Sequence, residues 1–206
     1  MAKFSTQTQY DEVPERLLSI SHKSSQIAPG QLDSQMWEAF RNDSRMAYKW
    51  IYLNYADVLY NYGLKIVPND DLIKDGIQDF FVELWNRRKN LTNVKSIKAY
   101  LMVGFRRKII ERKKKLQRFQ SISETEKFEM FFSSQFTFTE FNIAEEKRES
   151  LLKSLNSLPE RQKEAIFLRY YNKLSCKEIG EILDVNSQSV YNLIHRALKM
   201  LRDELT

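Results

Sequence analysis

Glycine and proline are scarce, with five and four in 206 residues. The glycines, Gly30, Gly63, Gly76, Gly104 and Gly180, stand far apart. That spacing excludes the glycine-rich phosphate cradles, both the P-loop and the dinucleotide fingerprint. It also argues against a many-stranded β fold, which needs turn residues at short intervals. Cysteine occurs once, at Cys176. An internal disulfide framework and a cysteine-based zinc site are therefore excluded, and Cys176 reads as a structural residue in a first helical turn. His22 and His195 are the only histidines, which leaves little material for metal or nucleophile chemistry. The longest apolar run, Tyr100 to Phe105, is far shorter than the roughly 20 residues that span a bilayer. The start, MAKFSTQTQY, has no apolar signal-peptide core. These absences predict a cytoplasmic protein without membrane insertion, and one that is not an enzyme, with no cofactor and no metal.

What is present is apolar material and cations. Hydrophobic residues make up 42%, enough for real cores and too many for a disordered chain. Lys and Arg number 33 against 27 Asp and Glu, a net charge of +6. Eight of the cations lie between Arg106 and Arg118: Arg106, Arg107, Lys108, Arg112, Lys113, Lys114, Lys115 and Arg118. Glu111 is the one acid among them, so this stretch carries +7 and the remainder of the chain −1. A local patch of that kind is the electrostatic footprint of a polyanion site.

The periodicity is helical almost throughout. Residues 1–33 read as a polar arm. Trp37 and Phe40 open a helical pattern, and Tyr48, Tyr52, Tyr55, Leu59 and Tyr62 then mark one face of a long helix, with Asn42, Asp43 and Ser44 as cap residues before it. Gly63 is expected to end it. A second helix opens at Asn69-Asp70-Asp71, with Leu72, Ile73, Ile77, Phe80, Phe81, Leu84 and Trp85 on its buried side. After a polar connection, Arg87 to Lys95, a third helix runs from about Ser96 into the basic stretch. Residues 119–144 carry seven of the 13 phenylalanines, a composition that solvated linkers avoid, so this linker is expected to pack on something. Beyond Glu145 come Leu151, Leu152 and Leu155, then a helix starting at Pro159 and buried through Ala165, Ile166, Leu168 and Tyr170.

Ser175 and Glu178 form a capping box. Two short helices then follow around the turn Asp184-Val185-Asn186, with Gly180 allowing close approach and Val185 plugging the corner, a helix-turn-helix pattern. The second helix buries Val190, Ile194, Ala197, Leu198 and Leu201. It leaves Ser187, Gln188, Ser189, Tyr191, Asn192, His195, Arg196 and Lys199 free for base edges and phosphates. The fold class expected is all-α: two small helical domains, 34–118 and a C-terminal helix-turn-helix over 145–206, joined by the phenylalanine-rich linker.

Residues 71–86, DLIKDGIQDFFVELWN, resemble a signature of bacterial RNA polymerase sigma factors through Asp75, Gln78, Asp79, Phe81, Leu84 and Trp85. Residues 158–202 resemble the C-terminal helix-turn-helix of the extracytoplasmic-function (ECF) class, through Leu158-Pro159, Leu168-Arg169-Tyr170, Glu178-Ile179 and His195-Arg196-Ala197. The likeness covers residues 35–116 and 145–204. It implies a sigma factor whose region 2 (34–118) binds core polymerase through Asp75, Gln78 and Asp79. Region 2 would also hold the −10 element through Asn90, Asn93, Tyr100, Arg106, Arg107, Arg112 and Lys113, with Tyr100 and Phe105, if exposed, or the Arg87–Lys95 connection able to receive an unstacked base. Region 4 (145–206) would read the −35 element through the eight residues of the last helix. The partners implied are core RNA polymerase, promoter DNA and an anti-sigma factor, soluble or membrane-anchored. Gly76 stands where the family usually has Leu, and Arg107 where it often has Asn; Tyr191 and Leu193 occupy common basic positions. A stand-alone helix-turn-helix regulator with a helical sensor is the alternative reading.

Overall fold

A computed structural model describes residues 29–120, Phe128 and residues 145–205. The arm up to residue 28 and the linker residues Phe131, Phe132, Phe136, Phe138 and Phe141 lie outside the described residues. Among those described there is no strand. The first domain holds α1 (Pro29–Arg41), α2 (Arg45–Ile66), α3 (Asp70–Arg87), a 3-10 turn (Arg88–Asn90) and α4 (Ile97–Gln120). The second holds α5 (Glu145–Ser157), α6 (Glu160–Ile166) with a π-helical turn (Phe167–Tyr171), α7 (Cys176–Leu183) and α8 (Ser187–Leu205).

Each start has a local cause. The Ser44 side chain accepts from the Ala47 amide at 3.2 Å and opens α2, and Asn69 accepts from Leu72 at 2.9 Å and opens α3. The arm is shorter than its polarity suggests, because Pro29 already begins α1. Arg41 ends α1 in a Schellman arrangement. The Ser44 amide donates to Ala39 O at 3.0 Å, the Asp43 amide to Phe40 O at 3.2 Å, and Asp43 takes the left-handed conformation at φ 69°.

Gly63 does not end α2, which runs on to Ile66. A Cβ at Gly63 would lie 2.9 Å from Ile73 Cγ2 and 3.2 Å from the Phe105 ring. The glycine serves close packing of α2 on α3 and α4, not helix termination. Trp37, Phe40, Ile51, Leu59, Tyr62, Ile73, Phe81, Phe105 and Ile109 are almost wholly buried in the core of this domain. Two expected members of the core sit higher. Tyr52 is 42% exposed, with its ring edge on Phe81 at 4.9 Å. Trp85 is half-buried beneath the Arg88 guanidinium, 4.0 Å from its ring.

In the second domain Ser175 and Glu178 form the expected capping box, with the Ser175 amide 2.8 Å from Glu178 Oε2. A Cβ at Gly180 would lie 2.6 Å from Val185 O, so only glycine lets the turn fold back this far. The Asn186 side chain accepts from the Ser189 amide at 2.7 Å and starts α8. Val190, Ile194, Ala197 and Leu201 are buried, but Leu198 is 39% exposed at the edge of that stripe. Tyr170, expected inside, is 56% exposed.

The two domains touch. The Tyr62 and Phe167 rings stack at 6.2 Å, and buried Phe128 of the linker packs against both, at 6.4 and 5.7 Å. Its amide donates to Glu160. Farther along, Lys98 Nζ donates to Asn172 O at 2.7 Å. Phe128 is the one linker side chain described.

Candidate polymerase and promoter interfaces

The exposed side of α8 is a continuous polar strip. Ser187, Gln188, Tyr191, Asn192, His195, Arg196 and Lys199 are exposed, and Ser189 is half-buried. Gln188, Asn192, His195 and Lys199 recur at helical spacing along it. Gln188 Nε2 reaches Asn192 Oδ1 at 3.4 Å, and the Tyr191 and His195 rings stack at 6.4 Å. The N-terminal half of the strip carries amides, hydroxyls and a phenol, and Arg196 and Lys199 follow. Such a helix can present short donors and acceptors to base edges and cations to the backbone.

The basic stretch of α4 behaves differently from a single patch, because a helix distributes eight cations around its circumference. Arg106 turns to the second domain, where Nε and an Nη donate to Glu164 at 2.8 and 3.1 Å. Lys108 pairs with Glu83 at 2.8 Å, and Arg112 pairs with Asp79. Lys113 is buried and donates to Ile66 O at 3.1 Å, satisfying a carbonyl at the end of α2. Arg107 alone of the four cations named for the −10 element stays exposed. In this conformation Arg106, Arg112 and Lys113 are occupied within the protein, contrary to their expected role as free phosphate contacts. Phe105 is fully buried, so the exposure its role required is absent and it cannot receive a base.

Glu164 is the centre of the domain contact. It is 5% exposed and accepts from the Tyr62 hydroxyl at 2.5 Å as well as from Arg106. Burial first, and then the Glu164 charge, push the Tyr62 hydroxyl well above its ordinary pKa, so it is a neutral donor. Burial works against the Arg106 charge, but the Glu164 carboxylate outweighs it and holds the guanidinium protonated.

The polar connection before α4 is pinned. Trp37 Nε1 donates to Thr92 O at 2.9 Å, and Arg41 donates to Asn93 Oδ1 at 2.5 Å. Asn90 and Asn93 remain exposed. Tyr100 is 36% exposed and lies edge-on to Trp37 at 5.0 Å. Asn93, Lys95, Tyr100 and Arg107 line one wall of a cleft of about 830 Å³, and Lys177, Glu178, Glu181 and Asp184 of the second domain line the other. Trp37, Arg41 and Asp43 hold this connection, a role that their positions in the sequence do not announce. Asn-Asp-Ser suits a helix start as well as a helix end, so it carries no signal for a cap that also grips a distant loop.

On α3, Asp75, Gln78 and Asp79 are exposed together, with Asp79 paired with Arg112. Among the described residues no helix is long and apolar enough to cross a membrane.

Comparison with known proteins agrees with this layout. Residues 51–119 match the family described as Sigma-70 region 2, and residues 148–201 match Sigma-70, region 4. The RNA polymerase sigma factor SigV of Bacillus subtilis is 40% identical over 60 residues, 29% of this chain and 36% of that protein. The RNA polymerase sigma factor FliA of Escherichia coli K12 is 38% identical over 58 residues, 28% of this chain and 24% of that protein. The matched segments span about a third or less of those relatives. In fold, the chain is similar to the sigma factor RpoE of Bartonella quintana, solved with the anti-sigma factor NepR, at TM-score 0.58 and 19% identity over 77% of this chain and 96% of that one. It is also similar to CnrH, solved with the cytosolic domain of CnrY, at TM-score 0.54 and 16% identity over 84% and 96% of the two chains. With region 2 and region 4 of sigma-70 matched in order on one chain, over 51–119 and 148–201, the protein belongs to the sigma-70 family.

Proposed function

We propose that the chain binds core RNA polymerase and directs it to specific promoters. The observation that carries this reading is the presence of both regions, over 51–119 and 148–201, in one chain. Region 2, taken as 34–118, docks on core through Asp75, Gln78 and Asp79, and its Asn90, Asn93, Tyr100 and Arg107 face the −10 element. The exposed strip of α8 reads the −35 element. Acidic residues grouped on an exposed helix face suit a basic partner surface, and the amide-bearing strip suits a major groove. The chain works in the cytoplasm and supplies no chemistry of its own; nucleotide addition belongs to the polymerase. Opening a promoter costs a few kcal/mol per unstacked step, so DNA melting requires the assembled holoenzyme. An anti-sigma factor is the expected negative partner, since the similar folds RpoE and CnrH were solved bound to NepR and to a domain of CnrY.

Transcription in vitro with core polymerase, on the DNA upstream of the chain's own gene, tests the reading. A discrete transcript that needs both core and this chain is expected. Tight duplex binding without core, together with no transcript, would leave only a helix-turn-helix regulator.

A further inference from the structure

We propose that Asp43, with Arg41, is a positioning residue for the loop over residues 88–96, and so tunes which −10 bases the protein accepts. The inference rests on the assignment of that loop to the −10 element. Its basis is the junction between α1 and α2, which lies before the segment matched to region 2.

Asp43 occupies the left-handed position that closes the Schellman turn of α1. Glycine adopts that conformation with least strain, and Asp does so only at some cost. For backbone geometry alone, then, Asp43 is the poorer residue. Its side chain makes the difference: one carboxylate oxygen takes Arg88, and the other takes Lys89 at 2.9 Å. Hydrogen bonds from Lys89 and then Arg88 hold the Asp43 carboxyl below its ordinary pKa. Arg88 in turn lies over the Trp85 ring and donates to Trp85 O at 2.6 Å, which ties the 3-10 turn to the end of α3.

Two residues earlier in α1, Arg41 takes Asn93 at 2.5 Å, on the far side of the same loop. Trp37, a further turn back, holds Thr92 O. Three side chains of one short segment, the last turn of α1 and the residues just past it, thus grip the loop at residues 88–89, 92 and 93. Asn90 is left exposed between the grips, and Asn93 is held from behind. A loop ordered before DNA arrives loses less entropy on binding and accepts fewer base geometries. Trp37 is core, so its loss is a folding defect. Asp43 is exposed and separates positioning from folding, whereas Arg41 is half-buried, with its Nε enclosed and without a hydrogen-bond partner.

Asp43→Gly is the decisive variant, because it relieves the backbone while releasing the loop. The chain is assembled with core polymerase on a fork probe made from the promoter mapped by the transcription assay. The probe has a duplex −35 half and a single-stranded −10 tail whose bases are changed one at a time. Asp43→Gly is expected to keep or raise the melting temperature. It should bind the tail about 3- to 10-fold less tightly, the range two partly exposed ion pairs can supply. Discrimination at one or two tail positions should flatten, with binding of the duplex half alone unchanged. Arg41→Ala should flatten the same positions, and Asp43→Asn, which tolerates the left-handed backbone, should fall between. An unchanged tail preference in Asp43→Gly overturns the inference while the loop assignment stands. A wild-type protein indifferent to every tail base overturns the loop assignment, and the inference with it.

Discussion

Glu164 of α6 and Arg106 of α4 form a two-point pair between the domains, with contacts of 2.8 and 3.1 Å across 58 residues of sequence. The Tyr62 hydroxyl completes the carboxylate's partners, and Tyr62 also stacks on Phe167. Removing one partner of a buried pair is far costlier than the pair's net worth, about 3–5 kcal/mol, because the other charge stays desolvated. Here the strained group has an escape, since Arg106 regains water when the domains part. Glu164→Ala is therefore expected to separate the domains rather than unfold them. Small-angle scattering should show a larger radius of gyration with helix content unchanged by circular dichroism. Arg106→Ala should do the same. An unchanged radius in both variants would mean that the aromatic contacts alone hold the halves together.

Asp79 has two claims on it, the expected polymerase dock and the ion pair with Arg112. The pair is partly exposed, so its loss should cost at most about 1 kcal/mol. Arg112→Ala is expected to leave core binding intact. Asp79→Arg sets two cations together on the same face and should abolish core binding while helix content is kept. Co-purification with core polymerase distinguishes them, and equal loss in both variants would mean that the pair itself, not the acidic face, makes the dock.

The basic stretch also divides by geometry. Lys113→Ala leaves Ile66 O without its donor inside the protein, and a buried polar group left unsatisfied costs about 1–3 kcal/mol. The melting temperature should fall, with the salt dependence of DNA binding unchanged. Arg107→Ala should behave in the opposite way: stability held, and the slope of log affinity against log salt reduced by roughly one phosphate's worth. A shallower salt slope in Lys113→Ala would return that residue to the DNA.

Where a signal was local, the residues carried it. The capping box at Ser175 and Glu178, the tight corner that only Gly180 permits, and the stripe from Val190 to Leu201 all depend on neighbours within a few positions. The acidic face of α3 was legible for the same reason. What the sequence hid is partnership at long range. Arg106 and Lys113 look alike in a run of cations, yet one meets Glu164 and the other Ile66 O, 58 and 47 positions away. Gly63 reads as a stop because stops favour glycine, but space between α2, α3 and α4 is the stronger demand there. Asp43 hid because its position favours glycine and its purpose lies 45 residues downstream, at Arg88.

The strip on α8 yields the sharpest separation of roles. Val190, Ile194, Ala197 and Leu201 are buried and fix the helix's rotation, so the side facing DNA follows from geometry. Asn192 lies in the N-terminal half, the part that enters the groove in helix-turn-helix docking, with Gln188 one turn before it. Its amide can pair with a base edge in two directions. Asn192→Ala should therefore cost about 1–3 kcal/mol on the preferred −35 sequence and relax preference at one or two base pairs. Arg196 is exposed one turn further on, where this docking would bring the helix to the backbone. Arg196→Ala should weaken every sequence about equally and flatten the salt dependence by about one phosphate. A binding series on the −35 duplex and its single-base variants, at several salt concentrations, separates the two. Uniform weakening from Asn192→Ala, with altered base preference from Arg196→Ala, would mean that the helix enters the groove by its C-terminal half instead.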